Sequence, residues 1–410
     1  MTRIKSDSAD PLKGKVPLLR SLDVELTERC NNNCIHCSIN LPADDISVRN
    51  KELSTDKIKK VLKEAVSLGC LTVRFTGGEP LLRQDFEKIY IFSRKLGLKV
   101  LLFTNATLIT PRLADTFRRI PPLEKIEITV YGMKKNSYEA VTRTPGSFEA
   151  AFRGINLLEQ KNIPFVVKST ILPCNINDIG EFETWAATIP WMDVPPSYAM
   201  LFDLRSRHDS AEKNRRIKKL RLSPEKSLMV LTRRNENYLR GMKAFVLNFM
   251  PPHGNRLFFC DAGKKSGCLD AYGYFQLCLL LRHPQTVYDL QNGSLKDALS
   301  HFFPSIRQMK PSNKDYLNRC ARCFLKGICE QCPAKSWIEH GILDHPVKYL
   351  CDIAHAQARY LGLLEKDEAA WEIRDWQERI HTFTGVALPN PAGNDGIRCR
   401  PIVQSASLEK

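Results

Sequence analysis

No stretch of the 410 residues approaches the ~20 consecutive apolar residues that a membrane span needs. No apolar run follows Arg3 and Lys5, so Met1 to Arg20 does not read as a secretory signal; with Pro11 and Pro17 it reads as an arm. A cytoplasmic protein without a membrane partner is expected. Acidic residues are also scarce: 45 Asp and Glu against 61 Lys and Arg give a net charge of +16. The excess is uneven, with eight Lys or Arg and two acids between Arg205 and Arg221. That strip reads as a solvated helix face. A docking surface for nucleic acid or an acidic peptide is the functional alternative. Cysteine, by contrast, is plentiful: fourteen residues, half of them in short C-x2-C or C-x3-C units without a signal, point to metal rather than disulfides.

The first thiols follow a strand in which Leu22, Val24 and Leu26 alternate with Asp23, Glu25 and Thr27. Cys30, Cys34 and Cys37 then share one loop. Three soft sulfur ligands suit three irons of a cubane cluster. The loop offers no fourth, so one iron stays open, as a catalytic metal site requires. A zinc knuckle or buried thiols are the plainer reading. The spacing Cys-x3-Cys-x-aromatic-Cys, with His36 in the aromatic slot, resembles the radical S-adenosylmethionine (radical SAM) enzymes. The resemblance implies a 4Fe–4S cluster whose open iron chelates S-adenosylmethionine and whose electron breaks the sulfonium to give a 5′-deoxyadenosyl radical. Gly77, Gly78, Glu79 and Pro80 resemble that family's second motif, in which backbone and acid meet the amino group of the cofactor. Glycines permit close backbone approach and a carboxylate suits an ammonium. The same resemblance places Asn105, Thr129 and Arg143 at the cofactor.

Helical and strand periodicities alternate five or six times from Leu22 to Phe202, which calls for parallel strands wrapped by helices. The expected fold class is α/β: a partial (β/α)6 TIM-like barrel with functional groups at the C-terminal ends of its strands. Arg74, Glu127, Thr129, Tyr131, Glu25 and Lys168 should line a polar lumen, either as a structural ion-pair network or as groups that position substrate.

From Cys260 the composition changes. Cys260, Cys268 and Cys278 surround a hairpin turning at Gly273, and Cys320, Cys323, Cys329, Cys332 and Cys351 follow. This resembles the SPASM domain, a small Cys-rich α+β region of radical SAM enzymes. The family pattern implies two auxiliary 4Fe–4S clusters, one held by Cys260, Cys268, Cys278 and Cys332 and one by Cys320, Cys323, Cys329 and Cys351. The last gap of the four-cysteine box holds two residues where the family usually has three. One or two zinc sites of a nucleic-acid-binding module form the alternative from another class. The expected organisation is an arm (1–20), the barrel (21–222), a helical bridge (223–256), the SPASM region (257–366), and a C-terminal helix with a tail (367–410). Cys70 and Cys399 read as incidental, and Cys174 sits just past the fifth strand.

The family implies an oxidoreductase that abstracts hydrogen from a peptide or small-molecule substrate, with a flavodoxin or ferredoxin as electron donor. Leu279 stands where sulfatase-maturing relatives carry aspartate. The arm is short for a leader-binding domain, so the leader of a peptide substrate would dock on a separate leader-peptide-binding protein or on the chain's own surface at the Arg205 to Arg221 strip. Peptide maturation by thioether or carbon–carbon crosslinking is the leading reading. Modification of a tetrapyrrole or another cofactor precursor is the alternative, and a nucleic acid partner is not expected.

Overall fold

A computed structural model describes residues 17–249 and 254–386. The arm up to residue 16, and the tail carrying Pro389, Pro391, Gly393, Gly396 and Cys399, lie outside the described residues. Six strands follow one another in parallel: β1 (Ser21–Thr27), β2 (Thr72–Gly77), β3 (Lys99–Thr104), β4 (Leu123–Thr129), β5 (Phe165–Thr170) and β6 (Ser197–Ala199). Alternation sets their faces. Leu22, Val24, Leu26, Val73, Phe75, Ile126, Ile128 and Val130 are buried in the apolar core, as the period of two requires.

The crossover helices start and stop where local chemistry directs. Helix α1 (Thr55–Ser67) is capped by Ser54, whose hydroxyl accepts from Lys57 N, and the chain leaves it at Gly69 in the left-handed region. Helix α2 (Phe86–Lys95) exits through Gly97 in the same way. Helix α3 (Pro111–Arg119) begins with Thr110 as cap and Pro111 in its first turn. An additional helix, α4 (Lys135–Thr142), precedes α5 (Ser147–Gln160); too short for clear periodicity, it has no counterpart in the sequence reading. Helix α6 (Ile179–Ala186) leads to the sixth strand, and α7 (Ala211–Leu220), α8 (Pro224–Leu231) and α9 (Asn235–Phe249) bridge to the second half.

The second half does not form a separate layer. Strand β7 (Ser266–Leu269) pairs in parallel with β1 along Ser21–Val24, and β8 (Tyr274–Gln276) and β9 (Val287–Asp289) follow it antiparallel. The result is one nine-stranded open sheet in the order β9-β8-β7-β1-β2-β3-β4-β5-β6. The hairpin turns at Gly273 (φ +102°), and the Asp270 carboxylate accepts from Tyr272 N and Tyr274 N across it. Helices α10 (Pro333–His340), α11 (Lys348–Tyr360) and α12 (Trp376–Thr384) complete the chain. No described helix is long and apolar enough to cross a membrane.

The basic strip corrects its sequence reading. Only part of it is a solvated helix face. Arg205 is buried and paired with Asp209, Arg207 reaches Glu28 and Asp270, and Arg221 pairs with Glu339. Lys213 Nζ donates to the Asn40 carbonyl at 3.0 Å. These side chains tie the strip to the barrel and to α10 instead of leaving it free for a partner.

Candidate active site

The loop with Cys30, Cys34 and Cys37 leaves the C-terminal end of β1 and is held from several sides. Asn33 N and Ile35 N donate to the Thr142 and Val141 carbonyls at 2.9 and 3.0 Å, which fixes the loop to the end of α4. Glu79 N donates to the Arg29 carbonyl at 3.0 Å, and Gly78 N to that of Thr27 at 2.7 Å. A Cβ on Gly77 would lie 2.1 Å from the Thr27 oxygen, and one on Gly78 would lie 2.2 Å from that of Arg29. Both positions therefore exclude any side chain. The close approach that glycine permits is to the cysteine loop itself.

Glu79 is fully buried. Its Oε1 accepts from Thr104 Oγ1 at 2.8 Å and Leu81 N at 3.1 Å, and its Oε2 from Asn105 N at 2.8 Å. Oε2 keeps capacity for one more donor. Burial holds this carboxyl up at about 7, against the pull of its hydrogen bonds. Asn105 Nδ2 in turn donates to Asn31 Oδ1 at 3.1 Å and lies 3.9 Å from Cys30 Sγ. Pro80 opens the short turn Pro80–Leu82. Thr129 ends β4, and Arg143 is exposed, in the left-handed conformation directly after α4.

The three thiols form one group. Burial and the charges of Glu79, Cys37 and Cys34 push Cys30 far above the ordinary thiol range, and burial with the Cys37 charge takes Cys34 up to about 12. A cation is what would stabilise their ionised forms. The loop also carries buried polar atoms without a partner, both side-chain atoms of Asn32 and Nδ1 of His36. His36 packs against Tyr131 and Phe202, at 5.5 and 5.6 Å between ring centroids, and burial lowers its imidazole to about 4, so it is neutral. A thiol triad with unfilled polar positions around it fits a polar, metal-containing guest.

The lumen is charged and self-paired. Both oxygens of Glu25 accept from Arg282 Nη2 at 2.6 Å, and Arg282 Nη1 donates to Glu28 at 2.9 Å. Arg207 bridges Glu28 (2.7 Å) and Asp270 (3.0 Å), and Tyr272 donates its hydroxyl to Glu28 at 2.8 Å. Lys168 donates to Glu127 at 3.0 Å and sits 3.4 Å above the Phe103 ring, while Arg74 pairs with Asp23. Structural pairing thus accounts for Glu25 and Lys168. Arg282 is absent from the sequence reading; its one local signal is a charge closing the apolar run Leu279–Leu281.

The remaining cysteines fall into sets. Cys320, Cys323, Cys329 and Cys351 line one small pocket. Cys278 acts electrostatically with Cys332 and Cys260, and burial with these charges pushes it up to about 12. Cys268 lies on β7 beside Gln276 of β8, and burial with the charges of Glu25, Asp23 and Asp270 pushes its thiol well up. Lys326 lies between the sets, its ammonium lowered to about 7 by burial against the pull of Cys320, Cys329, Cys323 and Cys332. Among the described residues no three His, Cys, Asp or Glu stand close enough to share a single metal ion. Cys70 is buried in the apolar core, and Cys174 is exposed.

Residues 24–186 match the family model described as the radical SAM superfamily. An AdoMet-dependent heme synthase of Methanosarcina barkeri is 34% identical over 155 residues, covering 38% of this chain and 43% of that protein. The match spans less than half of that relative. An AdoMet-dependent heme synthase of Oleidesulfovibrio alaskensis is 25% identical over 344 residues, 79% of this chain and 85% of the relative. Among solved structures, Streptococcus suis SuiB bound to S-adenosylmethionine superposes with a TM-score of 0.60 at 15% identity, over 82% of this chain and 77% of SuiB. At that identity the likeness is one of fold, and it establishes the partial barrel. A 4Fe–4S cluster and S-adenosylmethionine are the cofactors that accompany such a domain. Residues 24–186, with the cysteine loop at their head, thus carry a match to the radical SAM superfamily.

Proposed function

We propose that the chain cleaves S-adenosylmethionine reductively at the Cys30, Cys34 and Cys37 loop and abstracts hydrogen from a substrate held at the C-terminal ends of the strands. The observation that carries this is the contact chain from Glu79 through Asn105 to Asn31 and Cys30, which joins the second motif to the thiol triad. When bound, the reduced cluster supplies the electron that splits the sulfonium into methionine and a 5′-deoxyadenosyl radical. Cys30, Cys34 and Cys37 would hold three of its irons through their thiolates. Glu79 fixes Asn105 and offers its remaining Oε2 lone pair to the cofactor's ammonium, which would draw its carboxyl below 7. His36 and Tyr131 form an aromatic wall, Thr129 and Asn105 meet the ribose or methionine portion, and exposed Arg143 meets the carboxylate. Anaerobic incubation with S-adenosylmethionine and dithionite should release 5′-deoxyadenosine. Replacing Cys30, Cys34 and Cys37 by Ala should abolish it and remove about four irons. Undiminished 5′-deoxyadenosine from the triple variant would refute the assignment.

For the substrate, a ribosomally made peptide is the first reading. It rests on the two C-terminal cysteine sets and on the architecture shared with SuiB, another structure of which is bound to the precursor peptide SuiA. A tetrapyrrole is the second, favoured by the heme synthase that aligns over most of the chain. Parallel turnovers with short peptides encoded nearby and with an iron coproporphyrin separate them. A loss of two mass units from a peptide supports the first, and conversion of the porphyrin replaces it with the second.

A further inference from the structure

The pocket of the four thiols is lined as well by Arg319, His355 and Trp371. Cys351 lies in the first turn of α11, and His355 stands one turn further along the same helix face. Ala370 N donates to His355 Nε2 at 3.2 Å. A backbone N–H can only donate, so Nε2 is unprotonated and the ring carries its hydrogen on Nδ1. That hydrogen is shared between the Cys351 carbonyl at 2.8 Å and Cys351 Sγ at 3.5 Å. The imidazole is thus a neutral donor whose orientation is set by backbone beyond α11.

Arg319 reaches the same sulfur from a different segment. Its Nη2 stands 3.8 Å from Cys351 Sγ, within the reach of a sulfur acceptor, and its guanidinium carbon lies 4.6 Å from the centre of the Trp371 ring. Trp371 in turn meets His355 edge-on, with 5.5 Å between ring centroids. Among the described residues no acid pairs with Arg319, and its Nε is buried without a partner. Asp352, the acid beside Cys351, is taken by Lys348 at 2.7 Å. A guanidinium does not shed its proton, so a half-buried one without a carboxylate calls for another anion. The anion within reach is the Cys351 sulfur.

Four thiols around one pocket, with no three of the described residues close enough to share a single ion, fit a cluster whose irons take one sulfur each. We propose that Arg319 and His355 are positioning residues of that outer set, and that by donating together to the Cys351 sulfur they raise its reduction potential. Reduction adds one negative charge to a cluster, and a fixed cation with an N–H at one of its sulfurs stabilises that charge. The reduced form gains, and the midpoint rises. The proposal rests on reading the four thiols as an iron–sulfur site and goes beyond it by naming what sets the potential there.

The test uses the full chain with Cys30, Cys34 and Cys37 replaced by Ala and reconstituted anaerobically, so that C-terminal clusters are read whether or not the first loop works as proposed. The electron paramagnetic resonance of the outer set is the signal that Cys329→Ser removes, together with about four irons. In a dithionite titration, Arg319→Met should lower the midpoint of that signal by a tenfold or larger change in the reduction equilibrium, about 59 mV for one electron. Arg319→Lys, which keeps the charge, should recover most of the shift. His355→Phe should lower the midpoint by a smaller, several-fold step, and any second signal should stay where it was. A midpoint unchanged in both Arg319→Met and His355→Phe overturns the proposal. So does an equal shift of two signals, or loss of the outer irons from both variants, which would make the two side chains part of the scaffold alone. Stoichiometric zinc, or no iron lost in Cys329→Ser, would instead remove the cluster reading of the four thiols, and the proposal with it.

Discussion

A methyl group at position 78 would meet the Arg29 oxygen at 2.2 Å and the Glu28 oxygen at 2.7 Å, both backbone atoms at the root of the cysteine loop. Gly78→Ala must therefore move that loop. Forced overpacking of this kind costs about 3 kcal/mol at the upper end of its usual range. The variant should lose a few degrees of melting temperature and about four irons after reconstitution. Wild-type iron content and melting temperature together would show that the backbones do not meet there. At this scale the sequence displayed which residues matter but not what they touch. Gly77 to Pro80 was legible as a motif, and the fixed spacing of the thiols as a triad. The partners of Glu79, Thr104 and Asn105, come from the next strand, and no local pattern announces that pairing.

Between elements, a buried charge cluster joins β1 to the segment after the hairpin. Glu25, Glu28 and Asp270 face Arg282 and Arg207, three acids against two guanidiniums. Removing Arg282 leaves two buried carboxylates short of a partner, which destabilises by about 3–5 kcal/mol. Arg282→Met should lower the melting temperature sharply, and adding Glu25→Gln should restore part of the loss. No recovery in the double variant would mean that Arg282 acts through packing alone. The cluster also sets a pH dependence. Burial raises the Glu25 carboxyl from 4.5 to about 7, so the folded state holds a proton that the unfolded chain releases. Its contribution is complete below pH 4.5 and is lost as pH rises through 7. Melting curves across that window should slope downward with pH, and more gently in Glu25→Gln; identical slopes would remove Glu25 as the source. Strand alternation placed Glu25 and Lys168 on the inner face correctly, but their partners were invisible. Arg282 stands 257 residues from Glu25, and only the docking of β7 on β1 brings them together. The basic strip misled for a related reason: composition counts charges, and ion pairs with Glu28, Asp270 and Glu339 are made across long sequence separations.

Over the whole molecule, the order of strands and crossover helices was legible from periodicity and caps, and the C-terminal cysteine units from spacing. The joining of both regions into one sheet was not, because a four-residue strand such as Ser266–Leu269 carries too little pattern to name its neighbour. The apolar core likewise runs from Leu22 and Val24 through Leu269 and Phe275 to Phe303. A ladder and a core shared in this way should unfold together. Calorimetry on the cluster-free protein is expected to give one transition, with far-ultraviolet dichroism and tryptophan fluorescence midpoints coinciding. Two resolved transitions would mean that the cysteine-rich region melts on its own.

The parallel pairing of Ser21–Val24 with Ser266–Leu269 also acts as a ruler. It fixes how far the loop at the end of β1 stands from the thiols beyond the hairpin, independently of the chain that connects them. A single residue inserted between Ser266 and Cys278 would turn every following side chain to the opposite face. Length variation in natural or engineered versions of this protein should therefore be nearly absent from the twelve residues before Cys278.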